Sequence, residues 1–134
     1  MALTKDRDTL QKEGVDDEIP VAASSKIYAG SLVCTNASGY AVEAVNTSAF
    51  YCAGVSLAEA DNSAVATNGA INVKVRRKGI FLFTIATITA ADVGKIVYAS
   101  DGGTVTLTAG NGVVIGKIAK METVTSVWVD IDQR

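Results

Sequence analysis

Apolar and polar residues alternate in short runs along most of the chain. Residues 71–76 are the clearest case: Ile71, Val73 and Val75 alternate with Asn72, Lys74 and Arg76. That is the period of a strand with one buried face. In residues 40–45, Tyr40, Val42 and Ala44 share a face. Runs at 31–35, 51–57, 95–100, 104–108, 113–121 and 126–132 read as further strands between turn-forming residues. Asn36-Ala37-Ser38-Gly39 predicts a turn, and Asp101-Gly102-Gly103 a hairpin. Gly54, inside an apolar run, predicts a bulge. Residues 80–85 (IFLFTI) read as continuously apolar, which predicts a strand covered on both faces. Residues 89–93 predict a single helical turn, and residues 58–69 a polar loop.

Composition turns these runs into a fold class. Val, Ile and Thr make up 40 of 134 residues, against 6 Leu. β-Branched side chains lose rotamer freedom in helices and pack well on pleated sheets. Twelve glycines against one proline supply turns and bulges. The alanines sit among Ser, Thr, Gly and Asn, outside any window of helical period. The expected fold is all-β: a small single-domain β-sandwich or barrel with a weak internal repeat and an extended N-terminal arm. The arm is residues 1–18 and the β domain residues 19–134.

The repeat emerges when the halves are aligned. Gly30, Val33 and Gly39 match Gly94, Val97 and Gly103 at an offset of 64. Further on, Ala53-Gly54-Val55 answers Ile115-Gly116-Lys117, and Ile71-Asn72-Val73 answers Val127-Trp128-Val129. The shrinking offset implies shorter loops in the second half. One such unit cannot cover its own apolar face, whereas two packed together can.

The arm differs from the body. It carries Lys5, Arg7 and Lys12 against Asp6, Asp8, Glu13, Asp16, Asp17 and Glu18, a net charge of −3. Leu3, Leu10 and Val15 are its larger aliphatic side chains. One short helical turn is expected from Thr4 toward Gly14. So few apolar groups do not offset the ordering of eighteen residues, so the arm is expected to be disordered or to order against a partner. Leu3, Lys5, Arg7, Leu10 and Lys12 are its candidate contacts.

Catalytic chemistry finds little to work with. The chain has no histidine, which removes the commonest general base, the Ser-His and Cys-His nucleophile pairs and most transition-metal sites. Gly110-Asn111-Gly112 and Gly102-Gly103 continue to no dinucleotide or phosphate-loop motif. Asp130 and Asp132 share one strand face, which suits a solvated or partner-facing side better than a cleft. The expectation is a protein that is not an enzyme and takes no cofactor or metal. A net charge of −2 argues against nucleic acid. No apolar run approaches 18 residues, so no membrane span is expected, and residues 1–8 lack the apolar core of a secretory leader. Cys34 and Cys52 read as buried thiols, with a disulfide left open by the sequence.

Two features point toward interfaces. Arg76-Arg77-Lys78 reads either as a strand end with a turn at Gly79 or as a contact with acidic protein surface, for example between subunits. Trp128 shares the polar face of its strand with Ser126, Asp130 and Asp132. A large aromatic there suits an interface centre, or a site covered by a loop or by the arm. Trp128, Arg76 and Arg77 are the candidate subunit-interface residues.

Several stretches resemble a family. Ile19-Pro20-Val21-Ala22-Ala23 with Ala29-Gly30-Ser31-Leu32-Val33 resembles its opening strand and first turn. Residues 91–98 (ADVGKIVY), with Gly103-Thr104-Val105-Thr106, resemble its second turn. Val114-Ile115-Gly116-Lys117-Ile118-Ala119 and Val127-Trp128-Val129-Asp130-Ile131 also fit. Over residues 19–132 the chain is similar to the small tailed-bacteriophage capsid cement, or decoration, proteins. The charged arm departs from the shortest members. The resemblance implies a virion protein made in the host cytoplasm that binds the major capsid protein on the outer surface of a mature head. It also implies self-association as a homotrimer. The competing readings are another virion part, such as a tail-tube or head–tail joining protein, and a small carbohydrate-binding β module.

Overall fold

The computed structural model describes Lys5 and residues 15–132. The first half runs β1 (Asp16–Pro20), β2 (Lys26–Ile27), β3 (Leu32–Thr35), β4 (Ala41–Glu43), β5 (Tyr51–Ser56), β6 (Ala60–Asp61) and β7 (Asn72–Arg76). The second runs β8 (Lys78–Thr84), a 3-10 turn (Ala90–Asp92), β9 (Ile96–Ala99), β10 (Val105–Thr106), β11 (Val114–Thr123) and β12 (Ser126–Asp132). The fold is all-β, as the alternation predicts. Side-chain turns shape both short hairpins. Asn36 Oδ1 accepts from the amides of Ser38 and Tyr40 between β3 and β4, and Asp101 Oδ1 accepts from Gly103 N between β9 and β10.

The strands form two five-stranded antiparallel sheets, β1-β7-β5-β3-β4 and β8-β12-β11-β9-β10, plus the small pair β2-β6. The two large sheets have the same order, strand for strand, so the internal repeat is structural. Registers agree residue by residue. Val33 faces Gly54 as Val97 faces Gly116, and Cys34 faces Cys52 as Tyr98 faces Val114. Ile19 faces Val73 as Phe83 faces Val127. The offset is 64 from Val33 to Val97 and 62 from Gly54 to Gly116, as in the sequence alignment. From Val73 to Val127 it is 54, which corrects the matching of Ile71 with Val127 by two residues. Alternating valines match equally well when slid by one side-chain period, so sequence could not set that register.

Each repeat turns on a glycine in a bulge. The β3–β5 register shifts beside Gly54, and the β9–β11 register shifts beside Gly116. A Cβ on Gly54 would lie 2.2 Å from the Arg76 carbonyl oxygen, and one on Gly116 2.2 Å from the Asp130 carbonyl oxygen. Both strands are therefore pressed onto the next strand's backbone at a distance no side chain allows. The bulges add twist, and each sheet curls until its ends touch, through single bridges Val21–Ala41 and Thr84–Thr104.

The curled halves share their interior unequally. Val97, Val105, Ile115, Val127 and Val129 of the second sheet form one core with Leu32, Cys34, Cys52 and Val55 from the first. The first sheet's opposite face, with Val33, Ala41, Ala53, Val73 and Val75, forms a second core closed by Ile27 and Ala60 of β2 and β6. Asn62 fastens this cover, its side-chain amide donating to the carbonyls of Ala22 (3.0 Å) and Thr67 (3.1 Å).

Three expectations are corrected. The strand covered on both faces is not 80–85 but β3 and β5. In β8, Phe83 is buried while Ile80 and Leu82 face solvent. Both faces of β8 are apolar, which hid its alternation from the sequence pattern. Gly79 lies inside β8 rather than at a turn, and the chain passes between sheets at Arg77. The β body takes in the end of the expected arm, because Asp16, Asp17 and Glu18 pair with Arg76, Val75 and Lys74 in the β1–β7 ladder. The expected helical turn between Thr4 and Gly14 lies outside the described residues.

Gly54→Ala and Gly116→Ala should each destabilise the fold by at least about 3 kcal/mol, the upper end of overpacking costs. Gly103→Ala, where nothing lies within 4 Å of the added methyl, should stay within about 0.5 kcal/mol of the parent. Urea titrations of the three variants test this, and equal midpoints would refute it.

Candidate interaction face

β12 lies between β11 and β8, with Val127, Val129 and Ile131 turned into the core. Strand geometry sends Trp128, Asp130 and Asp132 to the outer face of the second sheet. Cross-strand registers then build that face in rows. One row holds Ile96, Lys117, Asp130 and Ile80, across β9, β11, β12 and β8. The next holds Lys120, Trp128 and Leu82. Tyr98 faces Val114 at one corner, and Lys78 faces Asp132 at another.

The face is apolar at both sides and charged in the middle. Ile80 is 56% exposed, Leu82 48%, Val114 44% and Ile96 42%. Lys117 and Asp130 are exposed neighbours between them. Trp128 is half-buried, and its indole Nε1 donates to Glu122 Oε2 at 2.8 Å. A shallow depression of about 390 Å³ opens over Gly116, lined by Ile96, Val114, Lys117, Asp130 and Asp132. Sequence reasoning singled out Trp128, Asp130 and Asp132 but missed Ile80, Leu82, Ile96 and Val114. The repeat held the signal: Ile80 and Leu82 occupy the positions of Asp16 and Glu18.

The two arginines lie elsewhere. Arg76 meets Asp16 in a fork, Nε to Oδ1 at 2.9 Å and Nη2 to Oδ2 at 3.2 Å. Arg77 Nη1 meets Asp17 Oδ2 at 2.9 Å. The Arg76 hydrogen bond holds the Asp16 carboxyl below its usual range. Both guanidinium groups therefore tie β1 to the end of β7 within the chain. Lys5 is exposed, and Leu3, Arg7, Leu10 and Lys12 lie outside the described residues.

Among the described residues, no group of three or more His, Cys, Asp or Glu is placed to hold a metal, and no helix is long and apolar enough to cross a membrane. Cys34 and Cys52 are free, buried and directly opposed across β3 and β5. Burial pushes the Cys34 thiol up to about 11 and Cys52 to about 12. Near neutral pH both stay protonated and unreactive. Comparison with family models, curated proteins and solved structures finds no match to this chain.

The thiols predict an alkaline limit to stability. Unfolding returns them to an ionisation near 9.0. Above that pH the unfolded chain sheds protons that the native chain keeps, so stability falls as pH rises from about 9 toward 12. Thermal melts should show this decline, and Cys34→Ala/Cys52→Ala should flatten it. A decline of equal slope in the double variant would show that other groups cause it.

Proposed function

We propose that the protein is a structural virion component, a cement protein that binds the outer surface of a phage head and reinforces it. The observation that carries the reading is the outer face of the second sheet. Ile80, Leu82 and Trp128 sit together there on and beside an edge strand that the described residues leave uncovered. Such a face serves association, because exposing contiguous apolar side chains on a sheet edge invites pairing. The resemblance over residues 19–132 supplies the setting. In this reading residues 1–14 grip the major capsid protein through Leu3, Lys5, Arg7, Leu10 and Lys12, and the body associates with copies of itself. A homotrimer over capsid three-fold positions is the arrangement the resemblance implies.

Cementing is then a matter of linkage. A protein that binds only the assembled shell stabilises it by about 2.7 kcal/mol per site at a hundredfold excess over Kd. Joined copies add avidity, since a second grip sees an effective concentration on the order of millimolar for short linkers. No residue needs a perturbed pKa or a cleft for this work.

The test adds purified protein to heads lacking it and measures bound protein by electron microscopy and shell melting by calorimetry. Decorated heads should melt at higher temperature. The matching deletion removes residues 1–14 and stops short of Asp16, which β1 and Arg76 need. It should keep the melting temperature of the free protein and abolish decoration. Full decoration by the shortened chain would refute the grip, and absence of decoration by the full chain would refute the capsid role.

A further inference from the structure

We propose that the outer face of the second sheet docks on the same face of a second copy, back to back, across a two-fold axis parallel to the strands. The inference takes up the self-association in the reading above but does not depend on a capsid. Its first support is the repeat. In the first sheet the equivalent back positions, Leu32, Cys34, Cys52 and Val55, are buried in the core shared with the second sheet. Their counterparts in the second sheet are Ile96, Tyr98, Val114 and Lys117, and here Ile96 and Val114 stand exposed. One back face has its cover inside the chain, and the other has none among the described residues.

The cover cannot be a head-to-tail continuation of the stack. That would place the inner face of another copy's first sheet on this surface. There, β2, β6 and the Asn62-fastened loop already close that face. With that arrangement closed off, the contact inferred for this face joins like faces, which is a closed two-fold arrangement.

Charge selects the axis. The central row reads apolar, cation, anion, apolar: Ile96, Lys117, Asp130, Ile80. Turning a copy over about an axis parallel to the strands reverses the row. Lys117 then meets Asp130 of the second copy, Asp130 meets its Lys117, and Ile80 meets its Ile96. In the adjacent row Trp128 meets Lys120 of the second copy, ring against ammonium. An axis across the strands would instead set Lys117 against Lys117. The face also carries Lys78, Lys117 and Lys120 against Glu122, Asp130 and Asp132, so its charge is balanced. A balanced face suits a copy of itself, whereas a strongly acidic or basic partner would select one sign. Aligned sheets stack about 10 Å apart, within reach of these side chains. A two-fold face joins copies only in pairs, so a three-fold arrangement on a capsid would use a different contact.

The experiment is sedimentation of the full-length protein and two charge variants at high micromolar concentration. The parent should form an even-numbered assembly. Lys117→Asp and Asp130→Lys should each halve its mass, weakening association at least about 100-fold, while an equimolar mixture of the two restores it. The mixture is decisive because each mixed interface regains two opposite-charge contacts, although both chains keep the same defect within themselves. Should either variant fail to melt cooperatively, Ile80→Cys mixed with Ile96→Cys replaces it. A short bifunctional thiol reagent should then link 80 to 96 between copies and not 80 to 80. An assembly unaffected by either substitution, a mixture that stays dissociated, or 80-to-80 linkage would overturn the proposal. Variants with unchanged solution mass that no longer decorate heads would also overturn it, assigning the face to the capsid and leaving the cement reading standing.

Discussion

A carbonyl oxygen pressed against a glycine holds each half of this molecule in shape. Gly54 meets the Arg76 carbonyl and Gly116 meets the Asp130 carbonyl, each at the point where a bulge shifts the ladder. The bulge supplies the local twist that a short five-stranded sheet needs to curl on itself. Curling brings β1 to β4 and β8 to β10. It also gives each sheet an inner face of valines and isoleucines and an outer face of different character. Which faces are buried, and which remain for partners, follows from that curvature.

The halves differ in what they do with the same geometry. The first carries a longer β5–β7 connection, and the extra length folds as β6 and pairs with β2 to close the inner face. The second joins β11 to β12 by a tight turn and has no such cover among the described residues. Its inner face is closed by the back of the first sheet. The result is an ordered stack: cover, first sheet, second sheet, open face. Cys34 and Cys52 sit at the contact between the sheets, where small apolar side chains pack and ionisation is suppressed. Tyr98 and Val114, their counterparts, sit at the open end.

Much of this order was legible in the sequence. The β-branched composition and period-2 runs placed most strands, and Gly54, Asp101-Gly102-Gly103 and the turn at 89–93 behaved as their residue types require. The repeat was visible because Gly30, Val33 and Gly54 occupy positions that tolerate few alternatives. Its last segment slipped because alternating valines carry no register of their own. β8 was misread for a related reason: Ile80 and Leu82 are as apolar as Phe81 and Phe83, so hydrophobicity could not say which pair faced inward. Arg76 and Arg77 read as a strand end or a subunit contact because their partners, Asp16 and Asp17, are sixty positions away in a segment whose composition resembles a solvated arm. Pairing at that separation is set by β1 docking on β7, which local pattern does not encode.

The two outer edges β1 and β8 differ in character. β1 and β8 hold equivalent places, each the last strand beyond β7 or β12. β1 presents Asp16, Asp17 and Glu18 and ends at Pro20. Charges and proline on an edge are the ordinary protection against unwanted strand pairing. β8 presents Lys78, then Ile80 and Leu82, and nothing comparable guards its middle among the described residues. Among the described residues, one edge is therefore protected and its structural twin is open. Water contact with a Leu or Ile forgoes about 1.5–3 kcal/mol of burial per side chain. Neither residue serves the inner core, so polar residues would fit these positions in the fold as they do in β1. A second copy docked as proposed would cover both side chains, and the alternating charges of Lys117 and Asp130 beside them would set its orientation.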